Sequence, residues 1–127
     1  MNIITYGTFD CLHYGHINLL KTAKSMGDFL IVGLSSDRFN EAKGKESFFN
    51  FQQRKEMLEL IKPVDLLIAE NSWEQKIDDI KKYKIDVFCI GNDWVGKFDY
   101  LEEFCKVVYL ERTPNICSTE IKKILSF

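Results

Sequence analysis

The chain has 127 residues, 46% of them hydrophobic and 13% aromatic, which is enough for a single domain with a substantial core and excludes a disordered segment. Its formal net charge of −2 gives no general electrostatic reason to bind nucleic acid. No apolar run approaches the roughly 20 residues that a membrane helix needs, and the first residues lack a signal-peptide pattern. From the charge we expect no nucleic-acid binding, and from the lack of a long apolar run we expect no membrane insertion.

The chain begins with a strand, a helix and a second strand. Residues 3–6 and 29–34 are short, nearly continuous apolar runs, typical of strands buried on both faces of a parallel sheet. Between them, apolar side chains at helical spacing predict a helix over 16–27. Gly27 stands where the residue after a helix C-cap is expected, so it predicts the end of this helix.

The middle of the chain continues the same alternation. Residues 36–48 show no regular pattern and are interpreted as irregular. A helix is predicted over 50–62, with Asn50 as its N-cap, because Asn side chains accept hydrogen bonds from the first N–H groups of a helix. Residues 64–69 then form a third apolar run, which predicts a third strand.

The last part of the chain completes the pattern. Residues 72–75 read SWEQ, the form of a capping box, which predicts a helix that begins at Ser72 and continues through KIDDIKKYK. The elements that remain are, in order, a strand over 86–91, an irregular segment over 91–100, a strand over 106–110 and a helix over 119–127 that Ser118 and Thr119 can start.

This repeated strand–helix order predicts an α/β fold: one doubly wound, Rossmann-like, five-stranded parallel sheet with helices on both faces, spanning residues 1–127 as one domain. In such sheets ligands bind beyond the carboxyl ends of the strands. Four polar segments follow strands here, and we expect them to meet at one edge of the sheet: residues 7–16, 35–39, 91–94 and 112–119.

The four cysteines are scattered and include no CxxC pair, so we interpret them as small buried hydrophobes in a reducing compartment. A cytoplasmic location is therefore expected. The cysteines are Cys11, Cys89, Cys105 and Cys117.

The segment GTFDCLHYGH, residues 7–16, contains both histidines of the chain. Three interpretations compete: a metal site, two structural imidazoles, or a phosphate-binding loop. A zinc site needs further ligands, and Asp10 and Cys11 do not complete a recognised spacing. The phosphate interpretation explains more, because glycines allow close backbone approach, a helix N-terminus attracts anions, and imidazoles donate hydrogen bonds to phosphoryl oxygens.

The same segment resembles the GTFDxxHxGH signature of the cytidylyltransferase-like branch of the nucleotidyltransferase superfamily. RTPNICST, residues 112–119, is similar to the second signature of that branch, RTxGIST(T). WEQK, GNDWVGKFD and VVYLERT also match, so that the resemblance covers essentially the whole chain.

The resemblance implies an enzyme that transfers a cytidylyl group from CTP to an alcohol phosphate, with glycerol 3-phosphate as the expected acceptor. It implies Mg²⁺ as cofactor, held mostly by phosphate and water with Asp10 as a possible ligand, and a homodimer. Three alternatives stay open: another small alcohol phosphate as acceptor, an adenylyltransferase that uses ATP, and a nucleotide-binding module without catalysis.

The resemblance also implies roles for particular residues. The catalytic residues would be His13, His16, Lys43 and Arg112, and the acceptor phosphate would be held by Lys43 and Lys76. The nucleotide would be bound by Thr8, Phe9, His13, Tyr14, Gly15, His16, Lys45, Lys62, Asp93, Arg112, Thr113, Ile116, Ser118 and Thr119.

Several of these residues have simpler interpretations when taken alone. Lys43 and Lys45 would be solvated loop charges, Lys76 would be an exposed helix lysine, and Arg54 would pair with a neighbouring acid.

The chain also departs from the family pattern at three positions. Lys62 stands where relatives have a nucleotide-contacting arginine, and Asn115 and Cys117 replace a glycine and a serine of the second signature.

Overall fold

The structure, a computed structural model, describes residues 1–111. Its elements are β1 (Asn2–Gly7), α1 (Tyr14–Ser25), β2 (Phe29–Ser35), α2 (Asp37–Ala42), α3 (Phe51–Glu59), β3 (Leu66–Glu70), α4 (Gln75–Lys82), β4 (Val87–Gly91) and β5 (Lys106–Leu110). Two short 3-10 helices, Asn92–Trp94 and Asp99–Glu103, lie between β4 and β5. The helix predicted over 119–127 lies outside the described residues.

The five strands form one parallel sheet in the order β3-β2-β1-β4-β5, which confirms the predicted doubly wound fold. The strand order reverses between β1 and β4, so these two strands form the switch point where α/β sheets bind ligands. β1 pairs with β2 from Asn2 to Gly7, whereas among the described residues its pairs with β4 are limited to Ile3 and Ile4. The carboxyl halves of the two central strands are therefore not paired with each other.

Helices cover both faces of the sheet, as predicted. On one face Leu20 and Ala23 of α1 and Leu58 of α3 pack against Ile3 of β1 and Val32 of β2. On the other face Ile80 of α4 packs with Leu101 of the second 3-10 helix against Ile4, Ile31 and Phe88. None of the helices within residues 1–111 is long and apolar enough to cross a membrane.

The helix boundaries partly confirm the sequence predictions. The Asn50 side chain accepts from the Gln53 N–H (2.9 Å) and caps α3, as predicted. Gly27 follows the C-cap of α1, as predicted. Glycine is needed at this position because a Cβ there would lie 2.5 Å from the Met1 carbonyl oxygen.

Two helix starts differ from the prediction. The predicted Ser72 cap is wrong: α4 begins at Gln75, whose Oε1 accepts from the N–H groups of Asn71 (2.5 Å) and Ser72 (3.2 Å). The segment predicted as irregular contains α2, a short helix whose N-cap is Ser36. Its six residues are too few to show a helical repeat in the sequence.

Candidate active site

The loop that follows β1 is held in an unusual backbone conformation. Phe9 and Cys11 have φ values of 48° and 49°, the left-handed region that side chains other than glycine adopt at a cost. A Cβ on Gly7 would lie 2.8 Å from the Phe9 ring, so the loop needs glycine at that position. This folding brings the end of β1 to the start of α1 within a few residues.

Asp10 anchors the loop to the segment before α3. Its carboxylate is 2% exposed and accepts hydrogen bonds from the N–H groups of Cys11 (3.1 Å), Phe48 (2.6 Å) and Phe49 (3.0 Å). These three hydrogen bonds hold the carboxylate in place beneath the loop. No group of three or more His, Cys, Asp or Glu side chains in residues 1–111 could hold a metal ion. The described residues therefore do not fit a magnesium site built from three or more protein ligands, and the single contact of Asp10 with a phosphate-held ion stays a prediction.

His13 and His16 together form the N-terminal cap of α1. The Nδ1 atom of His13 accepts from the Gly15 N–H (3.0 Å), and the Nδ1 atom of His16 accepts from the His13 N–H (3.3 Å). This is a capping box in which imidazoles replace the usual hydroxyl and carboxylate. The two rings stack with their centroids 3.8 Å apart, and Phe9 packs edge-on against His16 at 5.3 Å.

The capping geometry fixes the tautomer of both histidines. Because each Nδ1 atom accepts a hydrogen bond, the proton of the neutral ring resides on Nε2. Burial, assisted by the neighbouring His13, lowers the pKa of His16 to about 4, so His16 is neutral near pH 7. Both rings thus offer an Nε2–H donor, which is the group that a phosphoryl oxygen accepts from.

Arg54 of α3 fixes the carboxyl ends of β1 and β2 relative to each other. Its side chain is fully buried and donates to the carbonyl oxygens of Thr8 (3.0 Å), Ser35 (2.8 Å) and Phe49 (3.0 Å). Its Nη2 atom also donates to the Asp37 carboxylate at 2.8 Å, which confirms the expected pairing with an acid. Most of its hydrogen bonds nevertheless go to backbone carbonyls, so Arg54 positions the loops of the site.

Lys43, at the C-cap of α2, lies near the same edge of the sheet. Its ammonium group donates to the Ser35 hydroxyl at 3.1 Å and lies 4.4 Å from the centre of the Phe39 ring and 5.5 Å from that of Trp73. Burial is the main cause that lowers the pKa of Lys43 to about 8, while Glu70 acts in the opposite direction. Lys43 is therefore half-buried and held in place, unlike a solvated loop lysine.

Lys76 is buried, contrary to the simple interpretation of an exposed helix lysine. Its side chain is 1% exposed and forms an ion pair with Glu70 at 2.5 Å. Three aromatic rings surround its ammonium group, with centres 4.7 to 5.2 Å away: Tyr6, Trp73 and Phe98. In this arrangement the Lys76 ammonium does not reach the surface.

Glu70 is a residue of the site that the sequence analysis missed. It is the last residue of β3 and is 2% exposed. The available signal was its position, because an acid directly after the apolar run LLIA lies at the carboxyl edge of the sheet, where the other polar segments were expected.

Aromatic side chains form one wall of the site. Trp73 lies 5.8 Å from Trp94, and Trp94 lies 5.6 Å from Phe98, measured between ring centres. The exposed Lys45 has its ammonium 5.9 Å from the Trp94 ring centre. Asp93 lies beside Trp94 in the 3-10 helix that follows β4. The loops after β1, β2 and β4 therefore meet at one edge of the sheet, as predicted, and Trp73 brings the loop after β3 to the same place. The fourth predicted segment, residues 112–119, lies outside the described residues.

The nucleotide residues predicted in the first loop lie together at this edge. The Thr8 hydroxyl donates to the Asn40 side-chain oxygen at 3.1 Å, which links the first loop to α2. Tyr14, which is 64% exposed, and Gly15 occupy the first turn of α1, directly after the cap.

Lys62 is not brought to the site. It lies between α3 and β3, at the amino edge of the sheet, next to Asp65 and the other residues that precede strands. β3 runs from this edge to the carboxyl edge at about 3.3 Å per residue, so its length separates Lys62 from the histidines of the same chain. The predicted residues Arg112, Thr113, Ile116, Ser118 and Thr119, and the departures at 115 and 117, lie outside the described residues.

Comparison with known proteins assigns the chain to a family. A model of the cytidylyltransferase-like family matches residues 4–124, so the chain belongs to the cytidylyltransferase-like family. This membership confirms the resemblance that was based on the two signatures.

Two curated relatives match this chain over nearly the whole length of both proteins. The glycerol-3-phosphate cytidylyltransferase of Staphylococcus aureus (strain NCTC 8325 / PS 47) is 55% identical over 97% of this chain and 93% of its own. The glycerol-3-phosphate cytidylyltransferase of Bacillus subtilis (strain 168) is 53% identical over 95% of this chain and 94% of its own.

A solved structure shares the fold. It is a lipopolysaccharide core biosynthesis protein from Thermoplasma volcanium GSS1, with a TM-score of 0.77 and 27% sequence identity. The match covers 89% of this chain and 98% of that protein.

Proposed function

We propose that the protein transfers a cytidylyl group from CTP to glycerol 3-phosphate, with CDP-glycerol and pyrophosphate as products. One observation carries this proposal: the stacked His13–His16 cap lies at the carboxyl edge of the switch-point strands in a chain that is 53% to 57% identical to curated glycerol-3-phosphate cytidylyltransferases. The site thus combines donors suited to a triphosphate with relatives named for this reaction.

The chemistry needs alignment and positive charge more than a base. The acceptor's phosphate monoester is largely dianionic near pH 7, since its second pKa is about 6. One of its oxygens attacks the α-phosphorus of CTP, the bond from that phosphorus to the bridging oxygen breaks, and pyrophosphate leaves with the electron pair. The protein has to hold the two substrates in line and stabilise the charge on the phosphoryl oxygens.

His13 and His16 are suited to the triphosphate side of this reaction. Each presents an Nε2–H donor, and the twelve-residue helix α1 directs its positive dipole end towards the same region. The stacking and the capping bonds fix both rings before substrate arrives, so that no reorganisation is needed when charge develops in the transition state. Thr8, Phe9, Tyr14 and Gly15 adjoin this helix start and would line the nucleotide site.

Lys43 is suited to bind the acceptor phosphate directly, and Lys76 adds a positive charge that is buried beneath the surface of the site. The Lys43 ammonium is linked to Ser35, and Lys45 adds an exposed positive charge nearby. The roles of Asp93 towards cytosine, and of Arg112, Thr113, Ile116, Ser118 and Thr119 towards the phosphates, rest on the family resemblance.

We also propose that the reaction requires Mg²⁺. The described residues contain no protein-built magnesium site, so the ion would be bound to the triphosphate and to water. Bound in this way, it would neutralise part of the charge on the pyrophosphate.

A pyrophosphate-release assay tests the proposed function. We expect pyrophosphate only when CTP, Mg²⁺ and glycerol 3-phosphate are present together, and none after the metal is removed with a chelator. ATP, GTP and UTP serve as nucleotide controls, and other alcohol phosphates serve as acceptor controls. Equal turnover with ATP would contradict the cytidylyl assignment, and CTP binding without pyrophosphate would identify a nucleotide-binding module instead.

We propose that the protein is a homodimer located in the cytoplasm. Exposed apolar side chains near the β3 edge support an interface: Leu60 (85% exposed), Phe29 (39%) and Leu66 (36%). Cys89 and Cys105 are reduced thiols, which supports a reducing compartment. Light scattering at micromolar concentration should give twice the chain mass of 14.9 kDa, whereas a mass equal to one chain would contradict the dimer.

A further inference from the structure

Two lysines of the site are joined through one carboxylate. The Lys43 ammonium donates to the Ser35 hydroxyl (3.1 Å), and that hydroxyl donates to Oε1 of Glu70 (3.0 Å). The other oxygen, Oε2, accepts from the Lys76 ammonium (2.5 Å). The result is a continuous chain of hydrogen bonds across the ends of β2 and β3, with one negative charge between two positive charges.

Every side chain in this series of hydrogen bonds except Lys43 is buried. Ser35 is fully buried, Glu70 is 2% exposed and Lys76 is 1% exposed. A buried ammonium group needs a counterion, because burial disfavours an isolated charge. Glu70 is the only carboxylate among the described residues that forms an ion pair with Lys76.

We propose that Glu70, acting through Ser35, is a positioning residue that balances the positive charge of the lysine pair and holds Lys43 in place for the acceptor's phosphate. This inference rests on the proposed function, since it assigns the lysine pair to the acceptor. The Glu70 carboxylate does not touch the substrate. Its role is to offset the positive charges of two ammonium groups beside aromatic rings, so that the site is already arranged before a phosphate dianion binds.

The charges around Lys43 agree with this role. From β3, Glu70 raises the pKa of Lys43, whereas Lys45, Lys76 of α4 and Arg54 of α3 lower it. Burial is the largest cause and lowers it as well, to about 8. Glu70 is thus the carboxylate that opposes burial and three cations, and Lys43 loses its charge as the pH rises through about 8.

The test replaces Glu70 with glutamine, which keeps the shape of the side chain and removes its charge. We expect Glu70→Gln to raise the KM for glycerol 3-phosphate at least tenfold at pH 8, in line with the loss of a charge-assisted contact, and to leave the KM for CTP within twofold. The increase should grow between pH 7 and pH 9, because Lys43 then loses its proton earlier. Glu59→Gln, an exposed glutamate at the far end of α3, is the matched control and should behave like the parent.

A second measurement does not depend on activity. In protein labelled with ¹³C at lysine Cε, with the Lys43 signal assigned by Lys43→Arg, the Lys43 titration midpoint should fall by about one pH unit in Glu70→Gln. Ser35→Ala removes only the hydroxyl link and should lower the same midpoint while the protein stays folded. If Glu70→Gln does not fold, Ser35→Ala decides the question.

Unchanged Lys43 titration in the folded variants, or a KM increase shared equally by CTP and glycerol 3-phosphate, would overturn the proposal. If the parent protein releases no pyrophosphate, the proposed function is contradicted. The Lys43 titration would still test whether Glu70 raises the pKa of Lys43.

Discussion

His16→Ala is expected to lower kcat by about 10²–10³, equivalent to about 2.7–4 kcal/mol of transition-state stabilisation. The expected loss is large because the neutral His16 ring presents a fixed Nε2–H donor in a half-buried position, where charge on phosphoryl oxygens is poorly screened by water. Single-turnover measurement of pyrophosphate release would report the chemical step directly. Circular dichroism at the same protein concentration would show whether the fold is intact.

Two further variants separate catalysis from helix capping. His16→Asn places an oxygen where Nδ1 accepts from the His13 N–H, but it has no donor at the Nε2 position. His16→Gln places an NH₂ group near the Nε2 position and disturbs the cap. We expect His16→Asn to be as inactive as His16→Ala while retaining the stability of the parent. Near-normal kcat in His16→Asn would show that the histidines are structural caps only.

Arg54→Met is expected to destabilise the protein by about 3 kcal/mol, which corresponds to a melting temperature lower by roughly 10 °C. The methionine fills most of the space but leaves the carbonyl oxygens of Thr8, Ser35 and Phe49 without their donor in a buried region. Each unsatisfied buried acceptor costs about 1–3 kcal/mol, so three of them account for the expected loss. Chemical denaturation monitored by circular dichroism would measure the free energy of unfolding.

Two controls assign this loss to the carbonyl contacts. Asp37→Asn removes the ionic partner of Arg54, and because the Asp37 side chain is 48% exposed the expected loss is below about 1 kcal/mol. Arg38→Met makes the same chemical change at an exposed neighbouring position on α2 and should be nearly neutral. If Asp37→Asn were as destabilising as Arg54→Met, the ion pair would be the main contribution of Arg54.

The sequence by itself determined the class of fold and the location of the site. Runs such as 29–34 show their buried character locally, because both faces of the strand have to be apolar. The alternation of these runs with helices leaves a parallel sheet as the natural arrangement, and residues 7–16 directly follow its first strand. Both histidines, and the polar segments expected beside them, could therefore be placed at the carboxyl edge from the sequence alone.

Only the tertiary structure decided what individual side chains do at that edge. Lys76 has the sequence context of an exposed helix lysine, yet it is buried by Glu70 and Trp73 just before it and by the rings of Tyr6 and Phe98 from distant segments. Arg54 donates to the Thr8 carbonyl 46 residues away, and Ser35 donates to Glu70 35 residues away. The direction of β3 places Lys62 at the amino edge of its own sheet, away from the histidines of the same chain. Contacts of this range depend on how strands and helices pack, and local patterns in the sequence carry no record of them, so charge pairing and burial emerged only from the folded chain.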